Sequence, residues 1–116
     1  MHRRSVEIRR RTKDMRRVEI FSRPTLRALR VRREAIVPLV ALHGGKNLRL
    51  FGSAARGDSR RDSDIDLLVD LEPGRGARDM TELAIDLEEA LGRRVDLVVD
   101  DGSPAAAAIA AAALPI

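Results

Sequence analysis

The sequence predicts an α/β (α+β) domain with a small mixed sheet of about three or four strands, flanked by helices. Three short apolar segments alternate with amphipathic segments of helical periodicity, which favours a sheet covered by helices. The chain has 116 residues, of which 44% are hydrophobic and 34% charged. That length gives room for one hydrophobic core and one domain.

The predicted elements follow in the order α-β-α-β-α-β-α. Ser22 and Pro24 indicate the start of the first helix, as N-cap and first-turn residues, and Pro38 should kink or split it. His43-Gly44-Gly45 should end this helix, because glycine supplies the left-handed residue at a helix C-terminus. The spacing then predicts strands over 47–51, 64–71 and 94–99, and helices over 52–57, 79–91 and 104–114.

Positive charge is concentrated at the N-terminus. Residues 1–33 contain 13 basic and 3 acidic residues, whereas residues 34–116 contain 9 and 15. We therefore expect residues 1–22 to form a basic extension, disordered or helical, and residues 23–116 to form the domain. Such an arm can attract nucleic acid or an acidic partner. We do not expect direct nucleic-acid binding, however, because two Phe are the only aromatic residues available for base stacking.

Composition excludes several classes of site. The chain has no Cys, so disulfides and Cys-based zinc sites are excluded. No apolar run approaches the ~20 residues that span a bilayer. The first residues are polar and Arg-rich, without the apolar core of a secretory signal. We therefore expect a cytoplasmic protein without a membrane segment.

Two carboxylates, Asp64 and Asp66, begin the second predicted strand. Side chains at positions i and i+2 of a strand project from the same face. Their repulsion raises their pKa values unless a cation lies between them, and Mg²⁺ prefers such hard oxygen ligands. The alternative is that Asp64 is an acid at the strand entry and Asp66 lies on an exposed polar face.

Two further segments strengthen the metal hypothesis. Gly52-Ser53 follows a strand and opens a helix, where backbone amides and a hydroxyl can hold a phosphate oxygen. Asp96 interrupts an apolar strand, where a carboxylate is costly unless it is paired or bound to a metal. An ordinary strand-to-helix turn and an exposed strand acid are the alternatives. Together these residues favour metal-assisted phosphoryl or nucleotidyl transfer.

The spacing of these residues resembles a known signature. Gly52-Ser53, ten residues and then Asp64-x-Asp66 is similar to the motif of the DNA polymerase β-like nucleotidyltransferase superfamily. The run LFGSAARGDSRRDSDIDLLVDL closely resembles the minimal nucleotidyltransferases of prokaryotes, and HGGKNLRLFGS is typical of MNT-type antitoxins of HEPN/MNT toxin–antitoxin pairs. The resemblance extends from about residue 33 to the C-terminus. It implies the polymerase β-like nucleotidyltransferase fold.

The resemblance also implies roles for individual residues. Gly52 and Ser53 would bind the triphosphate of ATP. Asp64 and Asp66 would hold two Mg²⁺ ions. Asp96 would be the third carboxylate, also a metal ligand, and would activate the acceptor hydroxyl through the metal or as a base.

Arg56 occupies the Arg-Gly position of the family. The resemblance implies that it steadies the helix or touches phosphate. A salt bridge to Asp58 or Asp62 is the alternative interpretation.

Family members of this size pair with a HEPN-type ribonuclease toxin. The resemblance therefore implies a Mg²⁺-dependent antitoxin that transfers AMP from ATP to a tyrosine hydroxyl of the toxin and neutralises it. Two alternatives stay open. The chain could neutralise its toxin by binding alone, or it could modify a small-molecule acceptor.

Overall fold

The computed structural model describes residues 18–116, which form a four-stranded sheet flanked by helices. Among these residues, no helix is long and apolar enough to cross a membrane. In chain order the elements are α1 Leu26–Arg30, α2 Arg33–Leu42, β1 Gly45–Phe51, α3 Gly52–Arg56, β2 Ile65–Leu71, α4 Ala77–Leu91, β3 Val95–Val99, α5 Pro104–Ala112 and β4 Leu114–Pro115.

The sheet is mixed, with strand order β3-β2-β1-β4. Strands β2 and β3 pair in parallel because α4 carries the chain back between them, whereas β1 runs antiparallel to β2 and β4. The expected fold class and mixed sheet are thus confirmed. The predicted element order lacked β4, a two-residue strand that pairs with Arg49 and Leu50 of β1.

Alternation along β2 separates an apolar face from a partly polar one. Ile65, Leu67 and Val69 are fully buried in the core, which also includes residues of α2 and α4. Asp66 occupies an alternate position and therefore belongs to the opposite face. Leu68 shares that opposite face and is fully buried too, so only the ends of the strand expose carboxylates there.

The first helix begins later than the sequence predicted. Its N-cap is Thr25, whose hydroxyl accepts a hydrogen bond of 3.0 Å from the amide of Ala28. Ser22 is therefore not the N-cap. Pro24 lies before the helix and is fully buried, and its carbonyl accepts a hydrogen bond from the Ser59 hydroxyl.

The helical region splits at Val31 and Arg32 and not at Pro38. Helix α2 continues through Pro38, whose ring lies on the exposed side. Arg32 explains the position of the break, since its guanidinium donates to the carbonyl of Ala28 at 2.7 Å and reaches the carbonyl of Val18 at 2.7 Å. The amide of Arg32 donates instead to the carbonyl of Leu29 at 3.0 Å, which leaves the Ala28 carbonyl to the guanidinium.

The last residues of the expected N-terminal extension are packed against the domain. The amides of Val18 and Ile20 donate to the carbonyls of Ala90 and Leu91 at 2.9 and 3.0 Å, respectively. Ile20 is 3% exposed and belongs to the core. Residues 1–17 lie outside the described residues, so the helical alternative for residues 1–22 is tested only over residues 18–22, which are not helical. The division after residue 22 stays a prediction, and these contacts favour a boundary N-terminal of Val18.

The burial of Ile20 can be tested by truncating its side chain. We expect Ile20→Ala to lower the free energy of unfolding by about 2–5 kcal/mol, because it leaves a cavity in the core. The neighbouring Phe21 is 78% exposed, so Phe21→Ala should change stability by less than about 0.5 kcal/mol. Denaturant unfolding of the full chain measures both values. Equal, small effects would show that residues 18–22 do not contribute to the core.

Candidate active site

The turn from β1 into α3 brings the backbone against a carboxylate. Gly52 has a φ of 72°, a left-handed conformation that favours glycine. A Cβ atom at this position would lie 2.1 Å from Oδ2 of Asp66. Any larger residue would therefore have to displace the Asp66 side chain. Ser53 follows Gly52 directly in α3.

The sheet register places two of the predicted carboxylates side by side. Asp66 and Asp96 are direct partners in the parallel pairing of β2 and β3, so both side chains project from the same face. Asp64 lies just before β2 and is exposed, as is Asp96. The structure thus gathers Gly52 and the predicted acids at one end of the sheet.

Repulsion within this cluster is visible at Asp66. Partial burial raises the pKa of Asp66 above its usual value, the charges of Asp96 and Asp64 raise the pKa further, and Arg56 offsets the shift in part. A raised carboxyl pKa means that the ionised form is disfavoured in the folded protein. At neutral pH the charged Asp66 therefore costs folding free energy, and a cation bound between the carboxylates would reverse that cost.

The structure shows the salt-bridge interpretation of Arg56, whereas its contact with phosphate stays a prediction. Its Nε lies 3.3 Å from Oδ2 of Asp58, and both side chains are well exposed, so this pair contributes little to stability. Asp58 and not Asp62 is the partner. Arg56 also acts on the charge of Asp66, which places a cation within electrostatic reach of the cluster.

The loop before Asp64 is held by contacts that the sequence did not indicate. Ser63 accepts a hydrogen bond of 2.7 Å from the amide of Arg60 through its hydroxyl, and its own amide donates to the carbonyl of Arg60 at 3.0 Å. The amide of Ile65 donates to the carbonyl of Arg94 at 3.0 Å. The one local sequence signal for this turn is Ser63, three residues after Arg60 at the start of the turn, because serine hydroxyls favour hydrogen bonds to turn backbone.

The carboxylates fit magnesium as a partial ligand set. Within residues 18–116, no three His, Cys, Asp or Glu side chains have the spacing of a complete metal site. Magnesium rarely needs one, since it binds through one or two carboxylates and completes its shell with water and phosphate oxygens. The uncompensated charge around Asp66 is the feature that such an ion would satisfy.

Comparison with known proteins agrees with this geometry. Residues 33–110 match the model of the nucleotidyltransferase domain family. The chain belongs to this family. It is a nucleotidyltransferase, as the sequence motif predicted, and the matched residues include the Gly52-Ser53 turn and the three aspartates.

Two similar proteins have been named as protein adenylyltransferases. The chain is 41% identical over 63 residues to a "Putative protein adenylyltransferase" of Methanocaldococcus jannaschii, a match that covers 54% of this chain and 68% of that protein. It is 45% identical over 56 residues to the protein adenylyltransferase MntA of Thermococcus cleftensis, which covers 48% of this chain and 57% of the relative.

Two solved structures share the fold. One is described as a "putative minimal nucleotidyltransferase", with a TM-score of 0.69 and 46% identity over 79% of this chain and 96% of that chain. The other is a crystal structure of a toxin–antitoxin with AMP-PNP, with a TM-score of 0.51 and 33% identity over 59% of this chain and 56% of that chain. The resemblance to minimal nucleotidyltransferases is thereby confirmed.

The close approach of Gly52 to Asp66 predicts a specific effect of substitution. Gly52→Ala should both strain the backbone and displace the Asp66 carboxylate, so we expect weaker binding of Mg²⁺ with ATP. Gly57→Ala is the matched control, because Gly57 has a φ of 84° and a Cβ there meets nothing within 4 Å.

Both variants should lose about 1–2 kcal/mol of stability from the left-handed conformation. Only Gly52→Ala should lower nucleotide affinity in calorimetry. Equal affinities of the two variants would contradict the proposed contact between turn and carboxylate.

Proposed function

We propose that the chain is a Mg²⁺-dependent antitoxin that transfers AMP from ATP to a tyrosine hydroxyl of a partner HEPN-type ribonuclease toxin. The observation that carries the proposal is the pairing of Asp66 with Asp96 beside the glycine turn at Gly52. The names of the two relatives and the toxin–antitoxin neighbour with AMP-PNP support the protein acceptor and the nucleotide. Because the reaction consumes ATP, we propose the cytoplasm as its location.

The reaction breaks a phosphoanhydride bond of ATP and forms a phosphoester bond to the tyrosine. The tyrosine oxygen attacks the α-phosphorus of ATP, the bond from that phosphorus to the bridging oxygen breaks, and pyrophosphate leaves. The hydroxyl proton must be removed as the new bond forms. Asp96 is exposed and adjacent to Asp66, and is therefore the candidate to receive that proton.

Different residues of the site would bind the triphosphate and the Mg²⁺ ions. The backbone at Gly52 and the hydroxyl of Ser53 would hold the triphosphate, with Arg56 close enough to add positive charge. Asp64 and Asp66 would hold the two Mg²⁺ ions, with Asp96 as the third ligand. When bound, Mg²⁺ offsets the charge of the triphosphate and makes the acceptor oxygen a better nucleophile.

The openness of the site favours a macromolecular acceptor. Asp64 and Asp96 are exposed, and Asp66 is only partly buried, so the described residues do not enclose the carboxylates. A small acceptor would need walls that exclude water from the reacting atoms. A protein partner can supply those walls when it docks, which is why we prefer a toxin over a small-molecule acceptor.

Replacing two carboxylates tests whether catalysis is required for neutralisation. Asp64→Asn with Asp66→Asn changes packing little but removes the anionic ligands. We expect AMP transfer to fall by about 1,000-fold or more, corresponding to ~4 kcal/mol of transition-state stabilisation. The double variant should fail to rescue growth when co-expressed with the toxin, and the recovered toxin should have its unmodified mass.

The matched control is Asp58→Asn with Asp62→Asn. It removes the same charge from two exposed positions in the neighbouring loop, and should rescue growth and add AMP as the unchanged chain does. Rescue by the Asp64/Asp66 double variant, on a toxin of unmodified mass, would show that the chain neutralises by binding alone.

A further inference from the structure

The side chain of Arg93 links the start of β3 to two other segments, residues 20–22 and 61–63, through their main-chain carbonyls. One terminal nitrogen donates to the carbonyls of Ile20 and Ser22, each at 3.0 Å. The other donates to the carbonyl of Ser63 at 3.0 Å and to that of Arg61. All four acceptors are backbone oxygens, so the guanidinium fixes the path of the chain.

Hydrogen bonds hold the main chain on either side of Asp64. Ser63 immediately precedes Asp64, and its carbonyl is held by Arg93. On the other side of Asp64, the amide of Ile65 is held by the carbonyl of Arg94. Asp64 is therefore bracketed by two hydrogen bonds to consecutive residues, which lead directly into β3.

These two hydrogen bonds act against the repulsion between Asp64 and Asp66. Asp64 lies outside the β2 ladder, is exposed and is two residues from Asp66, so the two like-charged carboxylates repel each other. If the loop were held only by the hydrogen bonds between Arg60 and Ser63, it could move outward and relieve this repulsion. Residues 93 and 94 start the segment that carries Asp96. Their hydrogen bonds to Ser63 and Ile65 therefore link the main chain around Asp64 to that segment.

We propose that Arg93 is a positioning residue for the metal–nucleotide site, acting through the main chain on either side of Asp64. This inference rests on the proposed function, since it assigns Asp64 to Mg²⁺ and the triphosphate. Groups that orient metal ligands typically contribute about 10–100-fold to metal affinity. Loss of Arg93 should therefore weaken binding of Mg²⁺ with nucleotide, beyond any loss of stability.

Arg32 supplies a control with the same structural role but no connection to Asp64. Its guanidinium donates to the carbonyls of Val18 at 2.7 Å, Glu19 at 3.1 Å and Ala28 at 2.7 Å. Arg32 and Arg93 thus hold the same N-terminal segment by the same kind of contact. Only Arg93 also reaches the residue before Asp64.

The test compares Arg93→Met, Arg32→Met and Asp64→Asn in the full chain. Calorimetry measures affinity for a non-hydrolysable ATP analogue with Mg²⁺, and denaturant unfolding measures stability under the same conditions. We expect both arginine variants to lose stability. Arg93→Met should bind the nucleotide about tenfold or more weakly, in the range typical for groups that orient metal ligands. Arg32→Met should bind with the affinity of the unchanged chain.

The outcomes separate this inference from the proposed function. Weak binding by Asp64→Asn together with normal binding by Arg93→Met would overturn the role of Arg93 alone. Equal losses in Arg93→Met and Arg32→Met would also overturn it, because they would indicate a general structural effect. An unchanged chain that binds no Mg²⁺–nucleotide would overturn both proposals.

A conservative variant keeps the test decisive if Arg93→Met does not unfold cooperatively. Arg93→Lys retains the charge, but a compact ammonium cannot span four carbonyls as the planar guanidinium does. We expect its nucleotide affinity to lie between those of the unchanged chain and Asp64→Asn. An affinity equal to that of the unchanged chain would overturn the proposal.

Discussion

The structure depends on the parallel pairing of β2 and β3, which holds the like charges of Asp66 and Asp96 next to each other. Apolar pairs on either side enforce that register. Ile65 pairs with Val95 and is fully buried, and Leu67 pairs with Leu97 and is fully buried as well. A shift by one residue would turn these side chains out of the core, which costs far more than the repulsion between two carboxylates. The core therefore imposes the charge cluster, and a bound cation would stabilise it.

At the other end of the same strands, the acidic side chains are paired with an arginine. Asp70 lies four residues after Asp66 on β2, and Asp100 directly follows β3. There the guanidinium of Arg49 lies 2.7 Å from Asp70 and 3.3 Å from Asp100, so both charges are compensated within the domain. At the Asp66 end, Arg56 offsets the charge only in part. The contrast within one pair of strands supports the proposal that the Asp66 end binds a metal and a phosphate.

Much of this arrangement follows from the sequence, because strand alternation and the Asp-x-Asp motif are local. The mixed sheet and nearly all of its elements could be predicted in this way. The contact of Gly52 with Asp66 and the register with Asp96 could not, since they depend on which strands become neighbours. Ile20 was assigned to the basic extension because its short apolar stretch lies between Arg17 and Arg23. Strand β4 was overlooked because two residues, one a proline, give no periodicity. Nothing in the sequence distinguishes Arg93 from the other 19 arginines; its role depends on carbonyls that only the fold brings together.

We propose that Mg²⁺ and nucleotide bind at the end of the sheet where the three aspartates meet. Paramagnetic broadening by Mn²⁺ tests it directly, since a bound ion suppresses the amide signals nearest to it. We expect traces of Mn²⁺, added with an ATP analogue to the isotope-labelled chain, to remove first the signals of residues 52–53, 64–66 and 96. Broadening centred on the acidic residues of α4, with those signals unchanged, would contradict it.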